Sequence, residues 1–276
     1  MTKRAAAASG INTDVAVEEF VSYAVSIPRA LDAIEAGALL ASGQRVVLKP
    51  NLVNHSPHPI TTPPACIEAL IDYIRRYSAA EIVVAEGSGD GNTRRAFREL
   101  GYEAMASRKG AELIDLDAQP FERLTNPRMR LLKEFYLPRT VLDCLLISVP
   151  VLKAHSMAKV TLAMKNLFGI APARVYSGSA YKKARLHGQN NDELQRYIFE
   201  LNQYRKPDLS VIDATIGMAN AHLWGPHCDP PVNKILASAD PVAIDARGAE
   251  LLGLDWRGID HIRMANGVLG RAEPAS

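Results

Sequence analysis

Four short apolar runs of this chain end in residues that carry charge or form strong hydrogen bonds. Lys49 and Asn51 follow Val46-Val-Leu48, and Glu86 and Asp90 follow Ile82-Val-Val-Ala85. Lys153 and His155 follow Leu145-Leu-Ile-Ser-Val149, and Asp213 follows Leu209-Ser-Val-Ile212. Lysine and asparagine recognise carboxylates or phosphates through charge-assisted hydrogen bonds, and histidine, with its near-neutral pKa, is the natural proton carrier. His155 is therefore the candidate acid or base. Lys49 and Lys153 are candidate anion or oxyanion stabilisers, and Asp213 a group that orients His155 or holds a metal.

More such residues lie downstream. Lys153-Ala154-His155 leads into a segment read as a helix from Met157 to Phe168 and stopped by Gly169, so an anion held there would also meet free N–H groups at the helix start. Lys165 and Asn166 close that segment, while Lys159, Ala163 and Asn166 share a face by spacing. On spacing alone these lysines fit the solvated side of an amphipathic helix better than a functional site. Arg185 and His187 fall in the stretch from Ala171 to Asn191, which also holds Arg174, Lys182 and Lys183. Its lack of periodicity predicts a long basic loop or lid. Asp240 before Pro241 is an N-cap, and Asp245 one turn later either supports the dipole or faces the site.

His222, His227, Cys228 and Asp229 resemble a ligand cluster by residue type. Their spacing fits no common zinc pattern, so His227 and Cys228 are candidate metal ligands set against a plain surface turn. Glu86-Gly-Ser-Gly-Asp-Gly91 does not satisfy G-x-G-x-x-G, and reads as a tight turn with Asn92 or Thr93 capping the next helix.

The elements that must position these groups are legible in the pattern. Runs of four to six β-branched or aliphatic residues recur at Arg45–Lys49, Ile82–Glu86, Glu112–Leu116, Cys144–Val149, Leu209–Asp213 and Lys234–Ser238, each reading as a strand buried on both faces. Helical spacing lies between them: one helix opens at Pro63-Pro64 after a Thr61-Thr62 cap, another runs from Asn92 to Leu100, and another from Pro241 to Leu252. The alternation predicts an α/β fold, a mainly parallel sheet flanked by helices with the long basic loop inserted. Residues 1–12 read as a flexible tail and residues 13–276 as a single domain. In such sheets ligands sit beyond the carboxyl ends of the strands, where the candidate residues fall.

Composition narrows the classes. Lys+Arg 32 against Asp+Glu 30 gives a net charge of +2 over 276 residues, without the dense basic stripe of a nucleic-acid binder. The apolar runs are too short to span a bilayer, and polar Asn12, Thr13 and Asp14 interrupt any hydrophobic signal region. Cys66, Cys144 and Cys228 are odd in number and far apart, which argues against a disulfide framework and predicts a cytoplasmic protein. No C-x-x-C pair occurs, so a metal ion or iron–sulfur cluster stays open as cofactor with no motif encoding it.

Several segments in order resemble one known family. They are Val46-Val-Leu-Lys-Pro-Asn-Leu-Val53, Thr62-Pro-Pro-Ala-Cys-Ile-Glu-Ala-Leu70, Ile147-Ser-Val-Pro-Val-Leu-Lys-Ala-His155, Lys165-Asn-Leu-Phe-Gly169, Arg185-Leu-His-Gly188, Asp213 with Gly217-Met218, and Asp240-Pro-Val-Ala-Ile-Asp245. Together, from about Arg45 to Gly253, they resemble the domain of unknown function 362 family. The resemblance implies redox work, since members often carry or join a ferredoxin-type iron–sulfur segment. This chain has no such cysteine run, which implies either an electron-transfer partner or non-redox chemistry. The resemblance also shifts Lys49, Asn51, Lys153, His155, Lys165, Asn166, His187, Asp213 and Asp245 toward function.

Three readings follow. The first is an enzyme acting on a small carboxylate- or phosphate-bearing metabolite, with oxidoreductase chemistry favoured over lyase, isomerase or hydrolase. The second is a metal or cluster protein using Cys228, His227 and His222. The third is a non-catalytic module for an anionic ligand.

Overall fold

Aliphatic runs that bury both faces cannot sit at a solvated sheet surface, and here they form its centre. The computed structural model describes residues 14–41, 45–89, 91–178 and 182–273; the tail expected at 1–12 and the Asp90 carboxylate lie outside the described residues. The strands are β1 (Ala16–Glu19), β2 (Val46–Pro50), β3 (Ile82–Glu86), β4 (Glu112–Asp115), β5 (Phe121–Thr125), β6 (Glu134–Pro138), β7 (Leu145–Val149), β8 (Val151–His155), β9 (Lys159–Thr161), β10 (Leu209–Met218) and β11 (Lys234–Ser238). The main sheet runs β1-β11-β10-β7-β2-β3-β4, while β5 and β6 form a separate antiparallel pair.

From β10 to β4 the neighbours are parallel; β11 and β1 join antiparallel. The expected Lys234–Ser238 strand is thus present, but runs against its neighbour. It follows β10 through a loop with no helical crossover, and a parallel partner requires such a crossover.

The α-helices are α1 (Tyr23–Ala33), α2 (Gly37–Leu40), α3 (Pro64–Arg75), α4 (Thr93–Glu99), α5 (Tyr102–Lys109), α6 (Ala163–Asn166), α7 (Ala173–Tyr176), α8 (Asn191–Tyr204), α9 (Pro241–Leu251) and α10 (Asp260–Ala265). Strand side chains alternate between two cores. Val46, Leu48, Ile82 and Val84 meet Ile27 of α1, Ile67 of α3 and Phe97 of α4. Val47, Val83 and Leu146 face Leu167, Ile198 of α8, Ile244 of α9 and Ile262 of α10. None of the helices among the described residues is long and apolar enough to cross a membrane.

The segment from Met157 to Phe168 departs from the helix expected there. Pro150 separates β7 from β8, which runs on beside β10 and takes β9 as an antiparallel partner. β-branched Val160 and Thr161 suit that extended partner, and Lys159 turns into it at φ 68°. Only α6 and a 3-10 turn at Leu167–Ile170 are helical. Lys159 and Asn166 therefore share no helix face. The basic stretch after Ala171 carries α7 and a second 3-10 turn, Ala184–His187, around buried Leu186.

Candidate functional site

The carboxyl ends of β2 and β3, the projecting β8–β9 pair and the turn after α6 enclose a cavity of about 450 Å³. Lys49, Asn51, Glu86, Lys153, His155, Lys165, Asn166 and His187 of the sequence candidates line it. Asp213, Asp245, Arg185, His227 and Cys228 do not.

Lys49 and Glu86 stand on neighbouring strands and form a fully buried ion pair at 2.7 Å. Glu86 also accepts the N–H groups of Leu52 and Gly87, both at 2.8 Å. Lys49 Nζ donates to the Pro50 carbonyl at 2.8 Å and to Asn166 Oδ1 at 3.3 Å, so its three donors are engaged. Burial lowers the Lys49 pKa and the Glu86 charge opposes that shift.

Asn166 is the hub of the network. Its Oδ1 also accepts from Asn51 Nδ2 at 3.2 Å, and its Nδ2 donates to the Lys49 carbonyl at 3.0 Å and Ser148 Oγ at 3.1 Å. Asn51 Oδ1 in turn accepts from Lys153 Nζ at 3.0 Å. One chain of polar groups thus ties β2, β3, β7, β8 and α6 together. Thr62, expected as part of a helix cap, instead accepts the Asn51 N–H at 2.9 Å and donates to the Val149 carbonyl at 2.7 Å, clamping the ends of β2 and β7.

Lys153 and Lys165 differ from Lys49 in having no carboxylate partner among the described residues. Lys153 Nζ donates to Asn51 and, at 2.6 Å, to the Ile60 carbonyl. Burial, then the Lys165 charge, lowers its pKa to about 7. Lys165 Nζ lies 4.1 Å from the centroid of the Phe168 ring, and burial lowers it to about 7 as well. Lys183, from the basic stretch, is lowered to about 8 by burial; it holds the Gly87 and Gly169 carbonyls and lies 3.6 Å from Asp117.

The His155 ring is oriented by the backbone. Its Nδ1 accepts the N–H groups of Met157 at 3.2 Å and Ala158 at 3.1 Å, which places the ring proton on Nε2. The ring stacks on His222 with centroids 3.9 Å apart and planes at 8°. Burial, then the charge of Lys165, holds His155 far below the ordinary imidazole range. Burial likewise lowers His222 and His187 to about 4. His155 is therefore a neutral hydrogen-bond donor, with its acceptor nitrogen already engaged.

Asp213 lies away from the cavity and does not touch His155. It accepts from Tyr23 Oη at 2.8 Å, Thr215 Oγ1 at 2.7 Å and the Thr215 N–H at 3.0 Å, and stands 3.3 Å from His58 Nε2. Burial works to raise its pKa, but the His58 and Thr215 contacts outweigh it and hold the carboxyl below its ordinary value. Asp245 likewise faces inward. Its two oxygens accept the N–H groups of Ala163 at 2.7 Å and Met164 at 3.0 Å, so α9 caps the short helix that carries Lys165. Burial raises Asp245 to about 7 against those two bonds. By contrast Asp240 and Asn92 are N-caps, as their positions predict.

Arg185 is exposed and reaches the Val175 carbonyl. His227 is exposed, and Cys228 is half-buried beside Gly217, where burial raises its thiol. Among the described residues no three His, Cys, Asp or Glu side chains gather as a metal site. Cys66 and Cys144 belong to the cores on opposite faces of the sheet, so the three thiols cannot share a cluster.

Among the lining residues, Thr161, Phe168 and the exposed Trp224 carried no chemical signal in the sequence. Lys182 and Lys183 sat in the basic stretch, and their charge was the available clue. Phe168 follows Asn166-Leu167 in a family segment but reads as plain core.

Comparison with known proteins places the chain in a family without an assigned activity. The model of the domain of unknown function (DUF362) matches residues 46–250, and the chain belongs to that family. Thylakoid-associated protein sll1697 of Synechocystis is 27% identical over 252 residues, spanning 80% of this chain and 72% of the relative.

Proposed function

We propose that this member of the domain of unknown function 362 family is an enzyme that binds a small carboxylate- or phosphate-bearing metabolite in the lysine-lined cavity. One observation carries the reading: Lys153 and Lys165 are buried at the cavity wall, at 1% and 7% exposure, and neither forms an ion pair with a carboxylate among the described residues. A buried ammonium without a counter-charge is costly, and a bound anion supplies the counter-charge.

The roles divide by how firmly each group is held. Lys49, Glu86, Asn166 and Asn51 are satisfied by one another and fix the geometry. Lys153, held on two sides, has one donor left for an anion. The neutral His155, with its proton on Nε2, donates to an oxygen on which negative charge develops, the role a neutral imidazole performs without leaving the site a second cation to neutralise. The acid or base expected of His155 thus becomes a hydrogen-bond donor. Lys182, Lys183 and His187 close the wall from the basic stretch. A redox reaction here would need an electron carrier other than a cluster held by the three separated cysteines.

Calorimetric titration with inorganic phosphate, sulfate and malonate tests the binding. Lys165→Met and Lys153→Met are expected to weaken it by more than about tenfold each, a charge-assisted contact being worth roughly 1.5–3 kcal/mol. Lys206→Met, at a distant exposed site, leaves it unchanged. Failure of all three anions to bind overturns the reading. Mass identification of a co-purified anion then supplies the substrate for turnover assays. An anion that binds tightly yet is returned unchanged under every reductant and acceptor tried would make the chain a binding module.

A further inference from the structure

Lys165 stands apart from the other buried lysines of the cavity. Lys49 is saturated by Glu86, Pro50 and Asn166, Lys153 holds Asn51 and Ile60, and Lys183 holds two backbone carbonyls. The Lys165 Nζ has no hydrogen-bond acceptor among the described residues and meets the face of Phe168 instead. Its residue is 7% exposed, and that remaining exposure faces the cavity it lines. A lysine kept for structure gathers oxygens around its ammonium. An amine without them, buried at a cavity wall and beside other cations, is in the environment that yields a free-base nucleophile.

The backbone beneath it is held firmly. α6 is a short helix whose Leu162 cap position offers no side-chain hydrogen bond, and Asp245 supplies the cap from α9. Asn166, the next residue, is bonded at all of its side-chain positions to β2, β7 and Asn51. Lys165 thus projects from a fixed mount, with its stem buried and its amine packed on Phe168 at the cavity wall, and a covalent residue needs such a mount.

We propose that Lys165 is a covalent nucleophile, its Nζ forming an imine with the carbonyl carbon of a small oxo acid, an anion that also carries an aldehyde or ketone. The inference rests on the anion-binding reading of the same cavity and names its substrate class. The Nζ lone pair attacks the carbonyl carbon, a C–N bond forms, and the C=O π pair moves to oxygen, which takes up a proton. Nitrogen then loses a proton, the oxygen leaves as water after a second protonation, the nitrogen lone pair closes the C=N bond, and the resulting iminium gives up its remaining N–H proton. The sum is amine plus carbonyl giving imine plus water, and no oxidant or reductant is consumed. Lys153 meets the carboxylate, and the His155 N–H faces the oxygen as its charge grows.

Burial brings the Lys165 amine to about 7. At pH 7 about half of it is free base, on the order of a thousand times the fraction in a solvated lysine.

The test combines trapping with binding on the same preparation of the whole chain. The protein at pH 7 is mixed with glyoxylate or pyruvate and sodium cyanoborohydride, digested, and the modified lysines located by mass spectrometry; sulfate binding is measured in parallel. The expected result is one dominant adduct on Lys165, formed at least ~tenfold faster than on any solvated lysine and suppressed by excess sulfate. Lys165→Arg keeps a charge without an imine-forming amine, so it must lose the adduct. Lys165→Met, checked for fold by circular dichroism, must lose the adduct too. Sulfate binding with label spread over surface lysines, or placed on Lys153, overturns the imine and leaves the anion site standing. Loss of both sulfate binding and labelling overturns both.

Discussion

Sulfate binding should draw protons from solution, and the number is set by Lys153 and Lys165. Both titrate at about 7 in the cavity as it stands. A dianion favours the ammonium form, so it raises both values on binding. Affinity is therefore greatest below pH 7 and is lost as pH rises through 7 towards the pKa of the bound state. If each lysine is half protonated at pH 7 and fully protonated in the complex, about one proton is taken up per sulfate; at pH 8 the figure approaches two. Integrated from pH 7 to pH 9, the affinity falls by up to about 2,500-fold, and by no more than about fiftyfold in Lys165→Met, where Lys153 alone of the pair remains. Sulfate stays a dianion throughout, so the dependence belongs to the protein. Calorimetry in buffers of different ionisation enthalpy reads the uptake directly. An affinity flat between pH 6 and pH 9, with no buffer dependence of the heat, would refute the reasoning, because it would mean that these amines do not meet the anion.

Three structural predictions complete the set. Asp245→Ala orphans the N–H groups of Ala163 and Met164; at roughly 1–3 kcal/mol for each unsatisfied group, urea unfolding should show a loss of about 2 kcal/mol or more, together with weakened sulfate binding because the mount of Lys165 loosens. Glu86→Gln leaves the buried Lys49 without its counter-charge, and should lower unfolding stability by roughly 3–5 kcal/mol, a loss below about 1 kcal/mol counting against an ionised pair. Gly169→Ala places a methyl group on Glu86 Oε1 and Lys49 Cε; backbone and a buried ion pair cannot both give way, so soluble yield or thermal midpoint should drop sharply, whereas Gly258→Ala, with open space around it, should be nearly silent.

Much of the scaffold was legible from pattern. Runs such as Val46–Leu48 and Ile82–Ala85 have too many consecutive aliphatic residues for a half-exposed sheet, and that local fact placed β2 and β3 in the middle. Lys49, Asn51, Glu86, Lys153 and His155 could be assigned to one region because parallel strands deliver their carboxyl ends to the same edge. The segment after His155 was misread because Ala158, Ala163 and Met164 suit a helix, and local spacing alone does not reveal that β8 projects beyond the sheet and needs a partner for its edge.

Asp213 and Asp245 show where sequence reading stopped. Both are acidic residues in family segments that read as strand or helix ends, yet Asp213 lies within the longer β10 and pairs with Tyr23, His58 and Thr215, and Asp245 caps a helix 82 residues upstream. Which groups a buried carboxylate meets is a matter of long-range packing, and no spacing rule contains it.

The identity of the charged residues and the edge of the sheet to which they are delivered were thus determined by the order of amino acids, through strand burial and chain direction. Which lysine is neutralised, which is held by carbonyls and which is left bare against Phe168 was decided only in the tertiary structure. The reason is that an ammonium's chemistry depends on the oxygens within about 3 Å of it, and those come from residues as far away in the chain as Asn166 is from Lys49.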